Sequence, residues 1–141
     1  MPWTFYPPNT APRPLDIIWC RFPLVEDPGK PGPKPRPALV RTVKVVERDG
    51  EKRVYLEVAY GTSNVANYSY ADLVIGNSTD LVEMGLPQVT IFQLGRTVTI
   101  PWAEEWIGTL EGHGPGIGRL SPKYCEYLAH LQSRKPPRDR G

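Results

Sequence analysis

Apolar residues along the first half of the chain follow the alternation of β-strands rather than the spacing of helices. Residues 16–22 and 36–46 are rich in β-branched and aromatic side chains, and apolar and polar positions alternate through residues 53–60. Residues 47–51, Glu-Arg-Asp-Gly-Glu, place an Asp-Gly turn signal between the last two of these segments. The pattern predicts three strands, with the second and third joined as a hairpin.

The second half of the chain has shorter strand signals. Residues 73–75 are a brief apolar stretch, and residues 80–86 predict one or two helical turns. Residues 89–94 and 97–100 predict two further strands, joined at residues 95–96, Gly-Arg.

One convincing helix follows near the end of the chain. Ser121 is a candidate N-cap with Pro122 at the first helical position, and Tyr124, Leu128 and Leu131 recur on one face. The predicted fold class is therefore mainly β, with a C-terminal α-helix laid against a sheet.

Proline shapes the connector between the first two strands. Residues 23–35 contain five prolines and two glycines, a composition that excludes a helix and a central strand. Lys30, Lys34 and Arg36 lie in this connector or directly after it. A stiff loop that holds cations beside a β-scaffold is suited to an anion. A solvated linker explains the same composition, and both interpretations stay open here.

Length and composition limit the possible classes of protein. A chain of 141 residues with 40% hydrophobic residues is the size of one domain. The net charge of +2 is small for a protein that grips duplex DNA by its phosphates, whereas contact with a short single strand remains open. Cys20 and Cys125 are too few for a disulfide framework or a zinc site, so we expect free thiols. No signal-peptide or membrane-span pattern is visible, so we expect a cytoplasmic protein without membrane association.

Three regions are predicted along the chain. Residues 1–14 form a Pro-rich N-terminal arm, which aromatic side chains could pin to a surface, residues 15–133 form the folded domain, and residues 134–141 form a basic flexible tail. Residues 102–116 look like an insertion, in which Trp102 and Trp106 suit a helical turn and His113 is expected to be a plain loop histidine.

Small polar residues end the third predicted strand. The sequence Gly61-Thr62-Ser63-Asn64 can either cap a turn through its own hydroxyl and amide groups or present those groups to a ligand.

Several short motifs occur in a fixed order through residues 16–133. They are Asp16-Ile17-Ile18-Trp19, Arg36-Pro37-Ala38-Leu39-Val40, Thr62-Ser63, Ile91-Phe92-Gln93-Leu94-Gly95-Arg96-Thr97 and Ile117-Gly118-Arg119-Leu120, followed by the helix. As an ordered set they resemble the PemK/MazF family of type II toxin-antitoxin systems. One departure is Leu15-Asp16, where the family commonly has Gly-Asp.

The resemblance implies a fold and a function. The fold would be a small SH3-like barrel of the PemK/MazF/CcdB type with a C-terminal α-helix. The protein would be a homodimeric toxin, restrained by a cognate antitoxin, that acts as a metal-independent endoribonuclease on single-stranded RNA or mRNA without a cofactor. A different class, a noncatalytic module of the same fold that binds a protein partner such as gyrase, stays as the alternative.

The resemblance also assigns residues. Arg36 and Thr62 match the catalytic pair of the family, and the candidate RNA contacts are Lys30, Lys34, Ser63 and Asn64. A guanidinium stays charged at working pH and donates two parallel hydrogen bonds to a phosphate. Thr62 would orient the phosphate or the 2′-hydroxyl. Trp19 could stack a base, although burial in the core is the favoured interpretation, and Arg96 fits an RNA contact or a solvated turn equally well.

Overall fold

The structure of the protein is a computed structural model that describes residues 3–64, 66, 72–108 and 116–133. Its elements in chain order are a short 3-10 turn at Pro8–Thr10, β1 (Asp16–Cys20), β2 (Arg36–Arg48), β3 (Glu51–Thr62), β4 (Leu73–Ile75), α1 (Ser78–Met84), β5 (Thr90–Pro101), β6 (Gly116–Arg119) and α2 (Pro122–Ser133). The predicted His113 loop and the basic tail at 134–141 lie outside the described residues.

The strands form one antiparallel sheet of six strands in the order β4-β5-β3-β2-β1-β6. The mainly β prediction with a terminal helix is confirmed. β4 and β6 lie at opposite edges, so the sheet is open through the described part of the chain rather than closed into a barrel. The predicted β2–β3 hairpin is also confirmed, because Asp49 and Gly50 have the φ values of 53° and 79° that a tight hairpin turn needs.

The two strands expected at 89–94 and 97–100 are one strand, which corrects the sequence prediction. β5 pairs with β3 along both segments, with Gln93 opposite Tyr60 and Thr97 opposite the preceding residue, Ala59. The three residues between them, 94–96, are left out of the pairing as a bulge. A glycine inside a strand pattern is compatible with either a bulge or a turn. The pairing of β5 with β3 on both sides of Gly95 shows that it lies in a bulge.

Each face of the sheet has its own hydrophobic core. The first face carries Ile18, Val40, Val54, Leu56, Val58 and Ile100, and is covered by Trp102, Trp106 and the aromatic side chains of the N-terminal arm. The second face carries Ile17, Leu39, Ala59, Leu73 and Phe92, and is covered by side chains of α1 and α2. Alternation along β1 to β3 explains this division, because successive side chains point to opposite faces.

The N-terminal arm is tied to the first face by backbone and side-chain contacts. Phe5 bridges to Ala103, and the Tyr6 amide donates to the Trp102 carbonyl at 3.0 Å. The Trp102 indole Nε1 donates to Thr10 Oγ1 at 3.0 Å, which satisfies a buried donor. Residues 102–107 form a hydrogen-bonded turn beneath the arm, as the tryptophan spacing predicts. The division of the chain at residue 14 stays a prediction.

The helices are fixed to each other by a carboxylate. Asn77 caps α1 through its side chain, and Gly85 ends that helix in a left-handed conformation at φ 74°. Asp80 of α1 accepts a hydrogen bond from the Tyr124 hydroxyl of α2 at 2.6 Å, and this bond is the main cause that lowers the pKa of Asp80. Burial, followed by the interaction with Asp80, raises the pKa of Tyr124 to about 12.

The start of α2 differs from a side-chain cap. Ser121 precedes the helix as predicted, but its carbonyl accepts from the Tyr124 and Cys125 amides. Its buried hydroxyl has no hydrogen-bond partner within the described part of the chain. Among the described helices, none is long and apolar enough to cross a membrane.

Leu15, the residue before β1, has a left-handed backbone with φ 78°. This conformation costs a leucine about 1–2 kcal/mol relative to a residue without a Cβ. It lets the Leu15 amide donate to the Val40 carbonyl at 2.8 Å while the Leu15 carbonyl accepts from the Leu120 amide at 2.9 Å. A glycine would adopt this conformation without strain.

Candidate functional site

The ends of three neighbouring strands meet at one end of the sheet. β1 ends at Cys20, directly opposite Arg36 at the start of β2. Ala38 of β2 pairs with Tyr60 of β3, so two residues further along each strand toward this end are Arg36 and Thr62. Both therefore continue the face of the sheet to which Ala38 and Tyr60 belong.

Arg36 and Thr62 line one small cavity of about 100 Å³, which we call the Arg36–Thr62 cleft. Its lining is Trp19, Pro35, Arg36, Pro37, Gly61, Thr62, Ser63, Pro87, Gln88 and Thr90. The two residues assigned to catalysis from the sequence are thus brought together, with Ser63 beside them.

Arg36 is half-buried, and its backbone is restricted by a proline on each side. Pro35 is held in place by close packing against Gly108, where an added Cβ would lie 2.7 Å from the Pro35 ring. Among residues 3–64, 66, 72–108 and 116–133, no carboxylate lies within ion-pair distance of the Arg36 guanidinium. The positive charge of Arg36 is therefore available to an anion.

Thr62 is buried, with 7% of its surface exposed, and its hydroxyl has a structural partner. The Asn64 amide donates to Thr62 Oγ1 at 3.0 Å, so the oxygen caps the turn after β3. The hydroxyl hydrogen is not used in this bond and can be donated to a second acceptor. The turn-capping role and the ligand-facing role, which the sequence left as alternatives, are compatible in one side chain.

The predicted RNA contacts do not all lie at the cleft. Ser63 is exposed and lines it. Asn64 is exposed, and its side-chain oxygen accepts from the Ala66 amide at 3.1 Å, outside the cleft lining. Lys30 is also outside the cleft lining, and its exposed ammonium pairs with Asp27 at 3.4 Å in the proline-rich loop. Lys34 borders a neighbouring cavity instead.

That neighbouring cavity, which we call the Arg96 cavity, has a volume of about 180 Å³. Phe22, Pro23, Leu24, Pro33, Lys34, Arg36, Tyr60 and Arg96 line it. Arg36 borders both cavities, so the two are adjacent. The sequence analysis assigned Phe22 and Tyr60 only to strands and missed that they border a candidate site; their aromatic character beside polar strand ends was the available signal.

Trp19 and Cys20 end β1 beside the site. Trp19 is 7% exposed, which confirms the core interpretation, although its side chain also borders the cleft. Cys20 is fully buried opposite Arg36, and burial raises its pKa to about 12. The Cys20 thiol therefore stays protonated and is not a nucleophile.

The chemistry of the site rests on one guanidinium and one hydroxyl at the bottom of a shallow cleft. Within the described ranges, no three His, Cys, Asp or Glu side chains are grouped so that they could hold a metal ion. Arg36 can bind a phosphate through two parallel hydrogen bonds, and Thr62 can donate a third.

Comparison with known proteins adds no assignment. No family model matches the chain, and no curated protein matches it significantly. The resemblance to the PemK/MazF family therefore stays a prediction based on the ordered motifs, and what the site does is argued from its geometry.

Proposed function

We propose that this protein is a metal-independent endoribonuclease that cleaves single-stranded RNA in the Arg36–Thr62 cleft. One observation carries the proposal. Two residues 26 positions apart in the sequence line the same cavity, and the guanidinium of the pair has no carboxylate partner in the described part of the chain. Among the described residues that line the cleft, Arg36 is the only charged side chain, and such a site is suited to a phosphate.

The reaction would follow the path of RNA transesterification. The 2′-oxygen of one nucleotide attacks the adjacent phosphorus, the bond from phosphorus to the 5′-oxygen breaks, and a 2′,3′-cyclic phosphate and a 5′-hydroxyl result. Overall, one proton leaves the 2′-oxygen and one is gained by the 5′-oxygen. Arg36 donates to the nonbridging oxygens, where negative charge increases in the phosphorane. Thr62 donates to the phosphate and orients it, because its own pKa is too high for a base.

The broader proposal is a toxin of a type II toxin-antitoxin system, with a fold of the SH3-like PemK/MazF/CcdB type, that acts as a homodimer in the cytoplasm and is restrained by a cognate antitoxin. The ordered motifs support it. The left-handed backbone of Leu15 supports it further, because that position is commonly glycine in the family. A gene for a short acidic protein directly beside this one is the expected sign of the antitoxin.

The test is cleavage of a labelled single-stranded RNA by the purified protein in EDTA. We expect cyclic-phosphate and 5′-hydroxyl ends. Arg36→Ala should lower the rate by about 10²–10³-fold or more, the loss typical of one oxyanion donor. Arg36→Lys should recover little, because an ammonium lacks the bidentate geometry. Arg48→Ala removes an exposed arginine at the hairpin end of β2 and should leave the rate unchanged. Intact RNA after incubation with folded, partner-free protein would contradict the proposal.

The burial of Thr62 favours a second candidate, a noncatalytic module that binds a protein partner such as a gyrase subunit. Thr62 is 7% exposed and its hydroxyl already accepts a backbone hydrogen bond, which leaves limited room for a substrate. This candidate predicts a folded protein that leaves RNA intact, and a partner complex that Arg36→Ala weakens.

A further inference from the structure

The Arg96 cavity brings together three cationic side chains. Lys34, Arg36 and Arg96 all border its volume of about 180 Å³, and none forms an ion pair with any residue that the structure describes. Like charges around a small cavity repel one another, and a bound anion removes that repulsion. The cavity therefore has the electrostatics of an anion site.

The β5 bulge places Arg96 at this cavity. Residues 94–96 are unpaired, so the strand locally departs from the regular register next to Tyr60. The Arg96 guanidinium lies over the Tyr60 ring, 4.0 Å from its centroid, and 5.5 Å from the centroid of Phe22. Both distances are within the range of cation–π attraction. The exposed Arg96 side chain is thus held against the Tyr60 and Phe22 rings.

The two aromatic rings are themselves fixed. Phe22 and Tyr60 pack edge to face, with centroids 4.9 Å apart, and Phe22 is 8% exposed. The two rings therefore lose little conformational entropy when a ligand binds above them. The outer face of the Arg96 guanidinium is planar and available, and nucleobases stack on such planes in single-stranded RNA recognition.

We propose that the Arg96 cavity binds the nucleotide next to the cleaved phosphodiester, with its phosphate between Lys34 and Arg96 and its base stacked on the Arg96 guanidinium. This inference rests on the proposed ribonuclease function, and it extends the substrate from one phosphodiester to a strand that spans both cavities. A volume of about 180 Å³ is smaller than drug-sized pockets, which run to about 300–1,000 Å³, and suits one nucleotide fragment. Arg36, which borders both cavities, would contact the scissile phosphate between them.

The test is binding of fluorescein-labelled, mixed-sequence 2′-O-methyl RNA by fluorescence anisotropy, because a blocked 2′-oxygen prevents cleavage. Hexamers should bind more tightly than dinucleotides. Arg96→Ala should weaken hexamer binding by about 5- to 150-fold, the range for loss of one base-stacking residue. It should also reduce the slope of log affinity against log salt by about 0.7, the contribution of one phosphate contact on a single strand. Arg96→Lys should keep that slope but bind more weakly than the wild type.

Arg48→Ala is the matched control, because it removes the same charge from an exposed strand position at the hairpin end. Equal weakening by Arg96→Ala and Arg48→Ala would overturn the inference, and so would a hexamer that binds no more tightly than a dinucleotide. Displacement of the hexamer by a glutamate hexapeptide at lower concentration than by unlabelled RNA would overturn it as well. Circular dichroism of each variant verifies the fold.

Cleavage of unmodified RNA in EDTA separates the two proposals. Cleavage by the wild type, with hexamer binding unaffected by Arg96→Ala and Arg96→Lys, refutes the second site and leaves the ribonuclease proposal intact. Hexamer binding that depends on Arg96, with RNA left intact, supports nucleotide binding at the Arg96 cavity but refutes the ribonuclease proposal, and with it the placing of this nucleotide next to a cleaved phosphodiester.

Discussion

Gly61 of β3 lies directly before Thr62 and close to the Pro37 carbonyl of β2, and its replacement tests how closely the two strands must approach. A Cβ at position 61 would lie 2.4 Å from the Pro37 carbonyl oxygen and 3.0 Å from Phe92 Cε1. Ordinary contact begins near 3.4 Å, so the Pro37 carbonyl must move by about 1 Å. Overpacking of this kind costs about 1–3 kcal/mol. For a domain of this size, Gly61→Ala should lower the melting temperature by about 2–12 °C.

The same displacement should reach the chemistry. Pro37 follows Arg36 directly, so a shift of its carbonyl moves the backbone that carries the guanidinium. A misplacement of about 1 Å at a reacting group can lower a rate by about 10²-fold. We therefore expect Gly61→Ala to slow RNA cleavage in EDTA by about that factor at a temperature where the variant is fully folded, which circular dichroism establishes.

Gly29→Ala is the matched control, since a Cβ there meets nothing within 4 Å. It should leave cleavage unchanged and stabilise the fold slightly if it does anything. If Gly61→Ala has the melting temperature and the cleavage rate of the wild type, the close approach of β2 and β3 at this end of the sheet is refuted. A lower melting temperature with full cleavage would refute the link between strand spacing and the position of Arg36.

Two further predictions concern the rest of the fold. Asp80→Asn should lower the melting temperature at neutral pH, because it weakens the contact with Tyr124. The pKa of Asp80 is lowered on folding, so its stabilisation is present above the pKa of an unfolded aspartate, about 3.9, and is lost as the pH falls through the lower folded value. The melting temperatures of wild type and variant should therefore converge as the pH falls below the folded pKa of Asp80, and a constant difference would contradict this reasoning. Thr10→Val should destabilise the fold by about 1–3 kcal/mol, since it leaves the buried Trp102 indole donor without a partner. Urea unfolding measures this loss, with Thr99→Val at an exposed strand position as the control.

Much of the sheet could be predicted from the sequence because local signals agree with the fold. Alternation through residues 53–60 requires one buried face, and the Asp49-Gly50 turn brings its neighbour strand alongside. The lengths of β2 and β3 were underestimated, because their polar hairpin ends pair with each other without an apolar signal. Whether the sheet is open or closed into a barrel could not be predicted from any local pattern, because it depends on whether the two edge strands pair with each other.

The candidate site was only partly predictable. The positions of Arg36 and Thr62 followed from motif order, and the antiparallel register brings them to the same end of the sheet. The place of Arg96 depends on how many residues of β5 are left out of pairing with β3, and the sequence does not specify that number. Lys30 is a candidate RNA contact because it is a cation in the loop, and that stays a prediction; in the structure its exposed ammonium lies 3.4 Å from an Asp27 carboxylate oxygen.

The chain has four tryptophans, and the fold gives them two different surroundings. Trp3, Trp102 and Trp106 gather where the N-terminal arm crosses the sheet, whereas Trp19 alone borders the Arg36–Thr62 cleft. Intrinsic fluorescence of the protein therefore has contributions from indoles beside the arm and from the indole beside the cleft. With the three arm-side indoles replaced by phenylalanine, the emission of the unlabelled protein would come from the cleft alone.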